Sequence, residues 1–135
     1  MRSTFMKKVL IVDDDAKNIF ALDAMLRSKG WEPISATSMQ EAMDVLADSK
    51  TIDIMLLDMM MPDMDGYEGL GLFRNDPLLK GLPVIAVTAQ AMKGDREKCL
   101  AAGADGYVSK PIDIDKLLNL MHQFINTNRG DIVAG

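Results

Sequence analysis

Short apolar runs punctuate the chain at residues 9–12, 52–57 (broken once, by Asp53), 84–87 and 107–108, with a weaker one at 31–36, and each gives way to polar or turn residues. Runs that are apolar throughout, instead of alternating with polar positions, mark strands buried on both faces of a parallel sheet. Such a sheet needs helices over both faces, and the intervening segments supply them. Ile19, Leu22, Met25 and Leu26 recur at helical spacing, as do Met39, Ala42, Met43 and Leu46, and later Ile114, Leu117, Leu118, Met121 and Ile125. Gly30 follows the first helix, Ser38 with Glu41 has the form of a capping box for the second, and Asp113 can cap the last. The pattern predicts an α/β fold in which a β-α unit occurs five times.

Gly69 and Gly71 fall inside the third helix, between Gly66 and Phe73, and each costs about 1 kcal/mol relative to alanine in a helix interior. That helix is expected to be short or mobile. Residues 126–135 carry no periodic apolar face and read as a flexible tail, which leaves a core at about 7–125 within a single domain spanning 1–135. With 135 residues, such a domain buries about two-thirds of the surface its unfolded chain exposes.

Composition narrows the function more than the fold. The chain is 48% hydrophobic and 26% charged, ordinary for a globular domain. Its net charge of -5, without a basic stripe, argues against direct nucleic-acid binding. Cys99 is the only cysteine, so no disulfide or two-cysteine metal site can form within the chain, and a small buried thiol is expected. The first apolar run stops at Asp13, too soon for a secretion signal, and no later segment is apolar for long enough to cross a bilayer. A cytoplasmic protein without a membrane span is expected.

Ligands of an open parallel sheet bind outside the carboxyl ends of its strands, so the residues closing each apolar run carry the interest. The first run ends in Asp13, Asp14 and Asp15, the third in Asp58, the fourth in Thr88 and the fifth in Ser109, Lys110 and Pro111. Carboxylates gathered that closely repel one another and resist desolvation unless a cation shares the space. Mg²⁺ suits them, since it is hard, prefers oxygen ligands and is commonly held by one or two carboxylates plus a phosphate; Mn²⁺ is the natural substitute. Asp14 and Asp58 would be direct ligands, with Asp13 acting directly or through water. For residues 13–15 alone, helix capping is an equally good reading, and Asp15 fits a cap by itself.

At Asp58 a carboxylate can attack phosphorus and form an acyl phosphate. Lys110 would neutralise charge on the transferring oxygens, and Thr88 could hydrogen-bond one of them. The structural alternatives are an Asp58–Lys110 ion pair, a locally satisfied Thr88 and a solvated Lys110. Met59, Met60, Met61 and Met64 crowd the same stretch, and adaptable packing accounts for them better than chemistry, with any exposed members left as partner contacts. His122 lies in the last helix, remote from the strand ends, and reads as a surface residue.

The segments V-L-I-V-D-D-D, M-L-L-D-M-M-M-P-D-M-D-G, V-I-A-V-T-A and G-A-D-G-Y-V-S-K-P resemble the receiver domain of two-component response regulators, over Lys7 to about Ile125. N-I-F-A-L and A-M-K-G-D-R-E-K-C-L-A-A-G-A-D look most like receivers of hybrid sensor histidine kinases. The resemblance implies a flavodoxin-like, doubly wound sheet of order 2-1-3-4-5 flanked by five helices. It implies that Asp58 is the phosphoacceptor, that Asp13, Asp14, Asp58 and the main-chain carbonyl of Met60 form the metal site, and that the peptide before Pro111 is cis. Thr88 and Tyr107 look like the family's switch pair, although Tyr107 could equally be a static aromatic at the edge of the core.

The partners implied are a histidine kinase or histidine phosphotransfer domain, and a downstream protein met through the fourth helix, fifth strand and fifth helix. A monomer, or a dimer formed on phosphorylation, and at most slow autophosphorylation or autodephosphorylation go with that reading. Two other functions share the topology. A flavin protein needs a phosphate cradle where residues 13–15 would repel the phosphate, and an aspartate-dependent phosphohydrolase needs a second carboxylate where Met60 stands. A receiver that serves only as a scaffold would lack part of the site, and nothing in it is missing.

Overall fold

The computed structural model describes residues 7–48, 51–61, 66–77, 81–89 and 93–134, with Gly66 and 126–134 described as backbone alone. Five strands, β1 (Lys7–Val12), β2 (Trp31–Ala36), β3 (Ile54–Asp58), β4 (Val84–Thr88) and β5 (Gly106–Ser109), alternate with five helices. The helices are α1 (Ala16–Ser28), α2 (Met39–Asp48), α3 (Gly66–Arg74), α4 (Asp95–Ala102) and α5 (Ile114–Ala134). All strand pairs are parallel, in the order β2-β1-β3-β4-β5. The doubly wound α/β sheet and its implied order are therefore what the chain forms.

Pleating sends successive side chains to opposite faces, and two separate cores result. Val9, Ile11, Ile54, Leu56, Ile85 and Val87 meet Leu22 and Leu26 of α1 and Leu117, Met121 and Ile125 of α5. Leu10, Val12, Met55, Leu57, Val84 and Ala86 meet α2, Leu70 and Phe73 of α3, and Cys99 of α4. Burying an aliphatic or aromatic side chain of this size contributes roughly 1.5–3 kcal/mol, so both faces of each central strand hold the sheet in place.

The helix boundaries follow local chemistry. The Asp15 carboxylate accepts the N–H groups of Lys17 and Asn18 and caps α1. The Glu41 N–H donates to Ser38 Oγ as a capping box requires, but the Glu41 carboxylate turns to the N–H and hydroxyl of Thr37, one residue before the expected partner. Asp113 accepts the N–H groups of Asp115 and Lys116. Gly30 adopts φ 92, the left-handed conformation that ends a helix at little cost for glycine.

Helix α3 is described over the nine residues Gly66–Arg74, with both glycines inside it. Helix α5 continues through Ala134, well past Ile125 and into residues where a tail was expected. Propagating a helix adds one hydrogen bond for each residue fixed, so a helix already nucleated against the sheet can outrun its apolar face. Met64 lies outside the described residues.

Candidate functional site

Strand pleating also sorts the polar strand ends. Asp13 follows Ile11 by two residues, Asp58 follows Leu56, and Lys110 follows Val108, so all three project to the face covered by α1 and α5. Thr88 follows Ala86, and Tyr107 is the register partner of Ala86, so these two share the opposite face. The ladder runs past the strands and holds the tips in place: Asp13 N–H donates to Ala36 O at 3.0 Å, Met59 N–H to Val87 O at 2.8 Å and Lys110 N–H to Thr88 O at 2.8 Å.

Ligating oxygens of Asp13, Asp14 and Asp58 lie within 4.8 Å of one another, with Asp13 and Asp58 buried and Asp14 exposed. Lys110 Nζ stands 3.3 Å from Asp58 Oδ2 and 3.6 Å from Asp13 Oδ2. The other Asp58 oxygen accepts the Met60 N–H at 2.8 Å, and Asp13 Oδ1 accepts the Asp15 N–H at 2.9 Å. Burial first, and then the facing Asp58, push the Asp13 carboxyl above the usual carboxylate range, against the lowering influence of the Asp15 N–H and Lys110. One ammonium among three carboxylates leaves an excess of negative charge in a half-enclosed space. That surplus of oxygen donors is the chemistry a small divalent cation fits.

The other expected positions are equally definite. Thr88 is 1% exposed at the tip of β4, one residue beyond Val87, the register partner of Asp58. The Lys110–Pro111 peptide is cis. Met59 and Met61 are buried, in keeping with packing, whereas Met60 is 42% exposed. His122 is exposed, its ring centroid 6.0 Å from that of Trp31. Cys99 is fully buried, which raises its thiol pKa.

Two features were not legible in the sequence. A cleft of about 490 Å³ runs from Asp58 and Lys110 between α1 and the segment after β5, floored by Leu56 and Val87 and walled by Leu22 and Met25. Tyr67 and Tyr107 both donate to Asp95, at the start of a helix whose boundaries apolar periodicity did not mark. The glycine before Asp95 is the nearest signal, and it marks only a helix start.

Comparison with known proteins bears on this arrangement. Residues 9–122 match the family described as response regulator receiver domain. The polar-differentiation response regulator DivK of Brucella ovis is 35% identical over 119 residues, which cover 88% of this chain and 96% of the relative. Among solved structures, the receiver domain of the sensor histidine kinase PA1611 of Pseudomonas aeruginosa, with a magnesium ion coordinated in its active-site cleft, superposes with a TM-score of 0.80 at 31% identity, covering 90% of this chain and 98% of that one. The chemotaxis protein CheY4 of Vibrio cholerae does so with a TM-score of 0.80 at 27% identity, covering 88% and 98%. Fold, acidic cluster and sequence agree: this chain belongs to the response regulator receiver domain family of two-component signalling.

Proposed function

We propose that Asp58 is the residue that accepts the phosphoryl group. The observation that carries this reading is the convergence of Asp13, Asp14 and Lys110 on the nearly buried Asp58, with Thr88 at the neighbouring strand tip. A carboxylate oxygen of Asp58 attacks phosphorus, the bond from phosphorus to the donor breaks, and an acyl phosphate remains. The Met60 N–H fixes one oxygen of Asp58, which leaves the oxygen beside Lys110 as the nucleophile.

Asp13, Asp14, Asp58 and the main-chain carbonyl of Met60 would hold Mg²⁺, with Mn²⁺ able to take the same oxygen ligands. The ion supplies neutralisation of charge on the transferring oxygens. Lys110 adds its ammonium on the β5 side, and the Thr88 hydroxyl accommodates one phosphoryl oxygen. Tyr107, on the same face as Thr88, turns as Thr88 moves toward that oxygen. Receivers are signalling phosphoacceptors, and turnover here is slow because Met60 stands where a hydrolase would carry a second acid.

The donor is a histidine kinase or histidine phosphotransfer domain, and exposed Met60, whose N–H meets Asp58, offers it apolar contact beside the acid cluster. The output passes through the face of α4, β5 and α5 to a downstream protein and not to nucleic acid, from a monomer or a dimer formed on phosphorylation. Among the described residues no helix is long and apolar enough to cross a membrane, and a cytoplasmic location suits this role. The receiver domain has its core at 7–125.

The test is phosphate incorporation from a small phosphoryl donor, with Mg²⁺ and with a chelator, in the wild type and in Asp58→Asn. Labelling should require both the ion and Asp58. Equal labelling of the variant would move the acceptor elsewhere.

A further inference from the structure

On the sheet face opposite the acid cluster, one carboxylate joins three elements. The Tyr67 hydroxyl of α3 donates to Asp95 Oδ1 at 3.0 Å, and the Tyr107 hydroxyl of β5 donates to Asp95 Oδ2 at 3.1 Å. Both oxygens of Asp95, in the first turn of α4, are thereby engaged by side chains from other elements. Lys98 Nζ covers the Tyr67 ring 4.4 Å from its centroid, and Cys99 Sγ lies 3.8 Å from the Tyr67 hydroxyl. Burial and the hydrogen bonds to Asp95 push both phenols above their ordinary pKa, which keeps them as donors.

The position of this joint matters more than its strength. Asp95 opens the first element after Thr88, and Thr88 adjoins the register partner of Asp58. Tyr107 sits beside Ala86 on the face that Thr88 shares. A displacement of Thr88 toward a modified Asp58 therefore bears on the Tyr107 end of the Tyr107–Asp95 contact through the pairing of β4 with β5.

We propose that Asp95 is a positioning residue, a latch that holds Tyr107 and Tyr67 in the arrangement of the unmodified domain and so opposes the change that follows phosphorylation. This rests on the reading of Asp58 as acceptor and deepens it by naming what restrains the response. A contact made in only one of two states biases the equilibrium toward that state, and a phosphoryl group shifts the balance only by its differential affinity for the other. Removing the latch should thus make the modified state easier to reach. Loss of each partly buried hydrogen bond corresponds to a shift of about twofold to tenfold.

The experiment is titration of the full chain with beryllofluoride and Mg²⁺, a stable mimic of the acyl phosphate, read by nuclear magnetic resonance of the backbone amides, which every variant retains. Tyr107→Phe, which removes one of the two bonds, should bind the mimic about twofold to tenfold more tightly than the wild type, and Asp95→Ala, which removes both, at least as tightly as that variant. The double variant should gain no more than Asp95→Ala alone, because the contact that Tyr107→Phe removes is one of the two already lost with Asp95. Asp95→Asn, which keeps one acceptor and the shape of the side chain, should fall between and guards against a folding defect in the alanine variant. Glu97→Gln, which removes a charge from the same helical turn, should leave affinity unchanged.

Unchanged or weaker binding by folded Asp95→Ala and Asp95→Asn, or gains that add in the double variant, would overturn the latch while leaving Asp58 as acceptor. A folded wild type that binds no mimic would overturn both.

Discussion

Lys110 Nζ lies 3.3 Å from Asp58 Oδ2, although their strands are separated by the whole of β4. The same ammonium reaches Asp13 Oδ2 at 3.6 Å, so a single cation serves two buried carboxylates. Without Lys110 those carboxylates face each other uncompensated. Lys110→Met should lower the unfolding midpoint of the metal-free protein and cut phosphoryl incorporation by about tenfold to a hundredfold. Incorporation at the wild-type rate would remove Lys110 from the transfer.

The charge balance of the cluster makes a prediction of the opposite sign for Asp58. Its carboxylate is one cause of the raised pKa of Asp13, so Asp58→Asn relieves repulsion while the amide oxygen can still accept the Met60 N–H. The metal-free variant should melt a few degrees above the wild type, whereas Mg²⁺ should raise the wild-type midpoint and leave the variant nearly unmoved. Calorimetric scans with and without the ion check both halves. Identical responses of the two proteins would dissociate Asp58 from the metal site.

What the sequence disclosed and what it hid have physical causes. Continuous apolar runs predict β1, β3 and β4 because both faces of those strands are covered, and the strand ends then nominate Asp13, Asp58, Thr88 and Lys110. Helix α4 was not delimited because only Cys99 within Asp95–Ala102 is buried, too little for a periodic signal. Asp95 was missed because its partners, Tyr67 and Tyr107, are 28 and 12 residues away, beyond any local pattern. The turn from Ser38 to Thr37 at the start of α2 was also invisible, since both neighbours offer an N–H to the same glutamate.

Gly103 closes α4 at φ 121, and a Cβ there would lie 2.9 Å from Arg74 Cγ. Arg74 cannot easily yield, because its guanidinium donates to the carbonyls of Gly103 and Leu82 and to the carboxylate of Asp105. Gly103→Ala should therefore cost about 1–3 kcal/mol, from backbone strain and the displaced arginine together. Urea unfolding of the variant measures it, and a change within about 0.5 kcal/mol, typical of surface substitutions, would contradict the strain.

Glu41 is held below its ordinary value of 4.5 by the N–H and then the hydroxyl of Thr37. A carboxylate whose folded pKa is depressed binds fewer protons than in the unfolded chain, so its contribution is present above 4.5 and fades as pH falls through the folded value. Glu41→Gln should be less stable than the wild type at neutral pH, and the two should converge in acid. A difference independent of pH would assign the effect to side-chain shape.

The most direct measurement is the location of the phosphoryl group. After reaction with a small phosphoryl donor and Mg²⁺, borohydride reduction converts an aspartyl phosphate to homoserine, and mass spectrometry of the peptides identifies the residue changed. The expected result is a single modified position, Asp58, absent when the ion is chelated. Modification at any other residue, or none in a folded protein supplied with donor and metal, would contradict it.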